Sequence, residues 1–410
     1  MLSFLKYIIK NLLPSKLYNY LKKIYKKFLI LKIKNIGKQR INLSIGKKLH
    51  KGVNLFIHYN MKNSAGIEGR LLQQALELSG IPFQVIDLHD LRNNIKKFKK
   101  NLYNVNLIVC HVASLIPISL MSVIDTKKYY NIGYMAWELA ELPDMFCENL
   151  NIFNEIWTLS SFCTNSIEKK SLVPVLTIPL YTDYVGTIKE NGKEYFNIDE
   201  NIFLFSFAYD CNSYVSRKYP QAAIKAFLKA FKPEDHHIGL LLKLSYPENF
   251  KEHINELLEI LKPYPNIFLI DKFLTDDEMK ILINSSDTFI SLHRSEGLGL
   301  LPLEAMALGT PVISTAWSGN MEYMNHMNTA LVGYKMVPVE GQYVGSTSGD
   351  GLVWAEPDID EAASHMRRMV NDKLWREKLI LNGKLTVSEY FNKTVMSNNI
   401  KNRLKFLKVI

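Results

Sequence analysis

Cysteine is scarce in this 410-residue chain: Cys110, Cys147, Cys163 and Cys211 are scattered, with no paired spacing. That excludes a disulfide framework or a zinc knuckle and points to a reducing compartment. Long apolar runs are missing too, and none reaches the eighteen or so residues that span a bilayer. No Gly-x-Gly-x-x-Gly follows the first strand of either half, so a dinucleotide-dependent dehydrogenase has little support. Acidic residues are absent from residues 1–50, which hold thirteen Lys or Arg. The remaining 37 basic and 40 acidic residues nearly cancel, so the net charge of +10 belongs to one segment.

Within that segment Leu17, Leu21, Ile24, Phe28 and Leu31 recur at helical spacing, with Lys22, Lys23, Lys26 and Lys27 on other faces. Lys6 and Lys10 break the first apolar run and no small-residue cleavage site follows, which argues against a signal peptide. Residues 1–50 are therefore expected to be a basic amphipathic arm on an anionic membrane surface, each near-surface Lys adding about 1 kcal/mol. The plainer alternative is a solvated arm packed on the body. Nucleic acid is disfavoured, because the rest of the chain has no groove of basic and aromatic residues.

What is present is an ordinary globular balance, 47% hydrophobic and 22% charged, in a chain long enough for two domains. From Val53, short apolar runs alternate with helical stretches. Strands are expected at Val53–Ile57, Phe83–Ile86, Leu107–Cys110, Ile132–Ala136, Ile156–Leu159 and Val175–Ile178. A second set is expected at Ile202–Ala208, Ile238–Leu242, Ile267–Ile270, Thr288–Leu292, Val312–Ser314 and Ala330–Val332. Such alternation implies two α/β domains, each a doubly wound parallel sheet, at residues 51–185 and 202–390. A linker at 186–201 and a helical tail at 391–410 complete the division. Ligands of open parallel sheets sit at the carboxyl edge, where His58, Asn60, His111, Glu138, Ser160 and Ser161 fall.

The stretch Ser295-Glu296-Gly297-Leu298-Gly299-Leu300-Leu301-Pro302-Leu303-Glu304 carries the strongest signal. Pro302 is tolerated only in a helix's first turn, so the helix must begin near Leu300 or Leu301, with Gly309 suited to its C-terminal cap. The open N–H groups of Gly297 to Leu301 then form an anion site between two carboxylates. Arg217 and Lys218 precede a helix opened by Pro220; cations there oppose the helix dipole unless an anion is present, so they read as a phosphate clamp or a solvated pair. Trp317-Ser318-Gly319-Asn320 is a simple turn or a loop that admits a ligand. Gly66, His111 and Glu138 are candidate contacts to an acceptor or sugar, with plain structural roles as the alternative. Asp358-Ile359-Asp360 is not taken as a metal motif: Asp358 with Glu361, like Thr275 with Glu278, reads as a capping box. No metal or other cofactor is expected.

The run from Ser291 to Met324, with its Glu-x7-Glu, resembles the retaining glycosyltransferases of family 4 (glycosyl transferases group 1). Further matches are Arg217-Lys218 before Gln221 to Phe227, Trp354 to Asp358, and Gly52-Val53 with Gly66-Ile67-Glu68 and Arg70. The resemblance implies a GT-B fold of two facing Rossmann-like domains and a UDP- or GDP-linked sugar donor. It assigns Glu304 to the ribose hydroxyls, and Glu296 with Gly297, Leu298, Gly299 and Leu300 to the transferred sugar and its phosphate. Lys218 takes the place of the phosphate lysine, with Arg217 beside it; Ser213 stands where the usual partner arginine would be. Many members have histidine where this chain has Trp137-Glu138. The implied activity is metal-independent hexosyl transfer to a glycan or lipid-linked acceptor in surface polysaccharide assembly, in the cytoplasm on the inner membrane face. A nucleotide-sugar epimerase of the same fold and a non-catalytic nucleotide-sugar-binding subunit are the alternatives.

Overall fold

The structure, a computed structural model, describes residues 49–93, 103–112, 124–125, 128–184, 192–246, 250–340, 343 and 351–410. The basic arm lies outside these residues as far as position 48. Six strands form the first sheet: β1 (Val53–Ile57), β2 (Phe83–Asp87), β3 (Val105–Val109), β4 (Tyr130–Met135), β5 (Glu155–Thr158) and β6 (Val175–Thr177). All pairings are parallel, in the order β2-β1-β3-β4-β5-β6. Helices α1 (Ser64–Ser79), α2 (Leu88–Asn93), α3 (Cys147–Leu150) and α4 (Ser161–Glu168) punctuate it. Asn63 caps α1 through its side chain and Gly80, at φ 69°, closes it, as glycine permits.

At the amino end of this sheet, side-chain amides form a row across four strands. Gln84 Nε2 donates to Asn54 Oδ1 (2.7 Å), Asn54 Nδ2 to Asn106 Oδ1 (2.8 Å), and Asn106 Nδ2 to Asn131 Oδ1 (2.8 Å). A one-residue slip would strand these buried amides, so the row fixes the register.

The second sheet holds β7 (Phe203–Asp210), β8 (Ile238–Ser245), β9 (Ile267–Ile270), β10 (Thr288–Ser291), β11 (Val312–Thr315) and β12 (Ala330–Val332), again all parallel. Its order is β12-β11-β10-β7-β8-β9, so the winding reverses between β7 and β10. In the first sheet the reversal lies between β1 and β3. The intervening helices are α5 (Val215–Lys218), α6 (Pro220–Ala230), α7 (Lys251–Leu261), α8 (Asp276–Ser285) and α9 (Leu300–Leu308). All twelve strands lie where the apolar runs put them, within a few residues.

Three features go beyond what the apolar runs give. A hairpin of β13 (Tyr334–Pro338) and β14 (Val353–Pro357) leaves the second domain, and Val339, Tyr343, Leu352 and Trp354 join the first domain's core with Trp137 and Phe146. The tail does not stand apart. After α10 (Ile359–Asn371) and α11 (Lys373–Tyr390), α12 (Lys393–Phe406) returns to pack on α1. There Arg403 embraces the fully buried Glu155 (Nη2–Oε2 2.6 Å), and Asn104 Nδ2 donates to the carbonyl of Val409 (2.6 Å). The linker's described end is also packed, with Lys193 paired to Asp287 at 2.8 Å. No helix among the described residues is long and apolar enough to cross a membrane.

Candidate functional site

Both winding reversals open at carboxyl edges that face one another, and a cavity of about 230 Å³ lies between them. In open α/β sheets this is where ligands bind. From the second domain come the loops after β7 and β10. Helix α9 begins at Leu300, with Pro302 in its first turn as expected. Gly299 (φ 82°) and Gly309 (φ 88°) occupy its two ends in left-handed conformations. No side chain caps the amino end of α9, so its first amides open toward the cavity.

Glu296 is 8% exposed and held by two cations, Lys218 Nζ at 2.5 Å from Oε1 and Arg217 Nη1 at 3.0 Å from Oε2. Burial pushes its carboxyl up, but Lys218, Arg217 and His293 outweigh that and hold it at about 2. This revises the reading of the cations. They stand in the last turn of α5, between Tyr214 (φ 58°) and Tyr219 (φ 55°), not at the start of α6. Two bulky residues at positive φ cost of order 1–3 kcal/mol each, and the contacts of Arg217 and Lys218 to Glu296 help to offset it. The anion that answers them is Glu296 itself. Arg217 also donates to the Ser295 carbonyl (2.7 Å), and its own carbonyl accepts from Arg294 N (2.8 Å). Arg217 thus braces the loop, while Lys218 is the more exposed cation on the wall.

Trp317-Ser318-Gly319-Asn320 serves the same loop. Ser318 Oγ accepts from Glu296 N (2.8 Å), and Gly319 N donates to the Glu296 carbonyl (2.9 Å). A methyl group at Gly319 would sit 1.9 Å from the Gly297 carbonyl oxygen. The close approach this glycine permits is therefore by protein backbone, not ligand. Glu304 is 7% exposed on the cavity wall, with no hydrogen bond or ion pair among the described residues. Burial, with Asp183 and Asp276 nearby, raises it well above the usual carboxylate range. A carboxyl can bond a pair of hydroxyls through its two oxygens.

Glu138 faces this loop from the first domain, its Cγ 3.8 Å from where a methyl at Gly297 would lie. Its Oε2 accepts from Tyr343 of the hairpin (2.9 Å) and lies 3.7 Å from His111, and Arg217 is 3.9 Å from Oε1. Burial opposes its charge, yet Arg217 and His111 keep it firmly ionised. Ser160 Oγ bonds the Gly297 carbonyl (2.5 Å), and Ser295 Oγ bonds the Glu138 carbonyl, tying the two edges together. Among the first-domain candidates, only Glu138 lines the cavity. His111 stands behind it, and Gly66 packs against the Met61 carbonyl of its own loop. Glu68, quoted from the sequence only as part of Gly66-Ile67-Glu68, lines the cavity, and so do Lys243 and His293, which are not among the sequence candidates. Lys243 and His293 sit in or just beyond apolar strands, and Glu68 in an amphipathic helix, where each passes for a core or solvent-face residue.

Asp358 caps α10 as expected, but the box is incomplete. Asp358 accepts from the N–H groups of both Asp360 and Glu361, but the Glu361 side chain bonds Gly333 N (2.6 Å) and does not complete a box. Thr275 and Glu278 do form the full box.

Residues 212–386 match the family described as "Glycosyl transferases group 1". The matched segment runs from just after β7 into α11. It contains Glu296, Glu304, Arg217 and Lys218. The chain is 34% identical over 261 residues to the putative glycosyltransferase YtcC of Bacillus subtilis, covering 63% of this chain and 61% of that protein. It is 23% identical over 318 residues to the alpha-1,3/1,6-mannosyltransferase ALG2 of Kluyveromyces lactis, covering 68% of this chain and 57% of the relative's length. Among solved structures, a sucrose-phosphate synthase from Thermosynechococcus elongatus superposes with a TM-score of 0.64 at 14% identity, over 88% of this chain and 99% of that one. Anabaena Alr3699/HepE, solved in complex with UDP and glucose, gives 0.63 at 12% identity over 87% and 100%. The two facing doubly wound sheets are the GT-B fold.

Proposed function

We propose that the chain is a retaining glycosyltransferase of family 4, moving a hexosyl group from a UDP- or GDP-linked sugar to a hydroxyl of a glycan or lipid-linked acceptor. The observation that carries this reading is the Glu296-x7-Glu304 pair around the open end of α9, with Lys218 fixed 2.5 Å from Glu296. In such a transfer the bond from the anomeric carbon to the phosphate oxygen breaks as the acceptor oxygen bonds the same carbon. The acceptor proton leaves on the departing diphosphate. Charge grows on phosphate oxygens, and Lys218 with the Gly297–Leu301 amides is built to receive it without a metal. Glu296 orients the hexose hydroxyls while its charge keeps Lys218 in position, and Glu304 takes the ribose hydroxyls. Attack and departure on one face need no enzyme nucleophile and retain configuration.

The test combines UDP- and GDP-sugars with octyl glycosides in EDTA, followed by proton NMR. Product glycoside with the donor's anomeric coupling, in step with nucleoside diphosphate release, is expected. An inverted anomer, or isomerised donor formed without acceptor, contradicts the reading. The arm supports a peripheral place on the cytoplasmic membrane face, beside an acceptor used in surface polysaccharide assembly. Removing residues 1–45 should abolish flotation with anionic liposomes; equal flotation with and without the arm refutes that placement.

A further inference from the structure

The first domain's own winding reversal lies between β1 and β3. Helix α1 follows β1 there, and Glu68, in its second turn, lines the cavity shared with Glu138, Glu296 and Gly297. Glu68 is 8% exposed and has no hydrogen bond or ion pair among the described residues. The two carboxylates that share this part of the cavity are held, Glu138 by Tyr343, His111 and Arg217, and Glu296 by Lys218 and Arg217. A buried carboxyl that points into a cavity without a partner costs free energy unless something in the cavity bonds it.

We infer that Glu68 is a sugar-contacting residue, its carboxyl hydrogen-bonding a hexose hydroxyl at the first domain's edge of the cleft. This rests on the glycosyltransferase reading and extends it to the wall opposite Glu296. The hydroxyl belongs to the transferred hexose or to the acceptor, chemically the same partner. The groups around Glu68 are Cys110 and His111 after β3, Tyr134 on β4, Glu138 beyond it, and Cys163 on α4. Burial is the main influence; His111 opposes it and Glu138 adds to it, and the carboxyl is pushed up to about 8. Near pH 7 the group is neutral, able to donate to one oxygen and accept from another. Rising pH then creates a second anion beside Glu138 and removes the donated bond.

Isothermal titration of wild type, Glu68→Gln and Glu68→Ala at pH 7 and pH 9 decides the matter. The probes are UDP and GDP alone, UDP-glucose, UDP-galactose and GDP-mannose, and the octyl glucoside and mannoside. All three proteins should bind the bare nucleotide within about twofold, which also reports that the variants fold. Glu68→Ala should weaken a hexose-bearing probe about tenfold, the size of one buried hydrogen bond left unmade, with Glu68→Gln close to wild type. Weakening confined to the sugar nucleotides assigns the transferred hexose, and weakening confined to the octyl glycosides assigns the acceptor. Wild type should lose hexose affinity between pH 7 and 9, and Glu68→Gln should not. Lys243, in the same cavity and lowered by burial to about 8, titrates in that range too, but its effect would persist in Glu68→Gln. Hexose affinity untouched by Glu68→Ala, or an alkaline loss unchanged in Glu68→Gln, overturns the inference while leaving nucleotide binding intact. Absence of any nucleotide binding in wild type overturns the glycosyltransferase reading and this inference with it.

Discussion

Replacing Lys218 with alanine should lower kcat by about 10²–10³-fold, the cost of removing one preorganised charge from a developing oxyanion. The ammonium is rigid before any substrate arrives, because Glu296 lies 2.5 Å away and Arg217 holds the other carboxylate oxygen at 3.0 Å. A preset charge of this kind loses no free energy to reorganisation during the reaction. The fold should survive, since Arg217 remains to balance Glu296. A second readout follows from the sign of the pKa change. Lys218 is the strongest influence holding the Glu296 carboxyl down at about 2. Without it the group titrates at higher pH, so the acid limb of kcat/KM should move upward. Arginine at 218 keeps charge but not the compact ammonium, and should recover only part of the rate. A variant with normal kcat and an unmoved acid limb would remove Lys218 from the chemistry.

The largest effect on stability should come from Arg403→Met. Glu155 is fully buried at the start of β5, and both its oxygens face the Arg403 guanidinium at 2.6–3.3 Å. Tyr130 and Trp157 also donate to it, at 3.3 and 2.6 Å. Removing the arginine leaves a charge in the core with its main counterion gone, which costs about 3–5 kcal/mol. Urea unfolding monitored by circular dichroism measures it. The double variant Arg403→Met with Glu155→Leu should regain part of that loss, because it removes the unpaired charge but leaves the Trp157 N–H and the Tyr130 hydroxyl without their acceptor. Loss in the double variant as large as in the single one would mean that α12 is anchored by its packing on α1 instead.

These two sites show what could be read in advance. The strands were legible because each is a short, almost wholly apolar run, as a sheet buried on both faces requires. The Glu296–Glu304 spacing was legible because proline and glycine fix where α9 starts and stops. The cations' partner was not, since Arg217 and Glu296 are joined only through the reversal of strand order between β7 and β10. Nor was the hairpin: β13 is mostly exposed and lacks the alternation of a half-buried strand. Tyr343 sits near a glycine- and serine-rich stretch that reads as loop, yet its hydroxyl helps hold Glu138. Glu68 was legible only as part of Gly66-Ile67-Glu68, a stretch that also reads as a plain helix start; its place on the cavity wall depends on the opposing domain. The docking of α12 on the first domain likewise depends on a chain that returns to its beginning.

The central claim is that the open end of α9, flanked by Glu296 and Glu304, holds a nucleoside diphosphate with Glu304 on the ribose. The most direct measurement compares UDP and GDP with their 2′-deoxy counterparts by titration calorimetry, in wild type and in Glu304→Ala. A buried carboxyl without a protein partner should reject a nucleotide that lacks the hydroxyl it needs. Wild type is expected to bind one ribonucleotide about tenfold or more tightly than its deoxy form, and Glu304→Ala to bind the two alike. No binding of any nucleoside diphosphate, or a ribose preference that survives Glu304→Ala, would contradict the account.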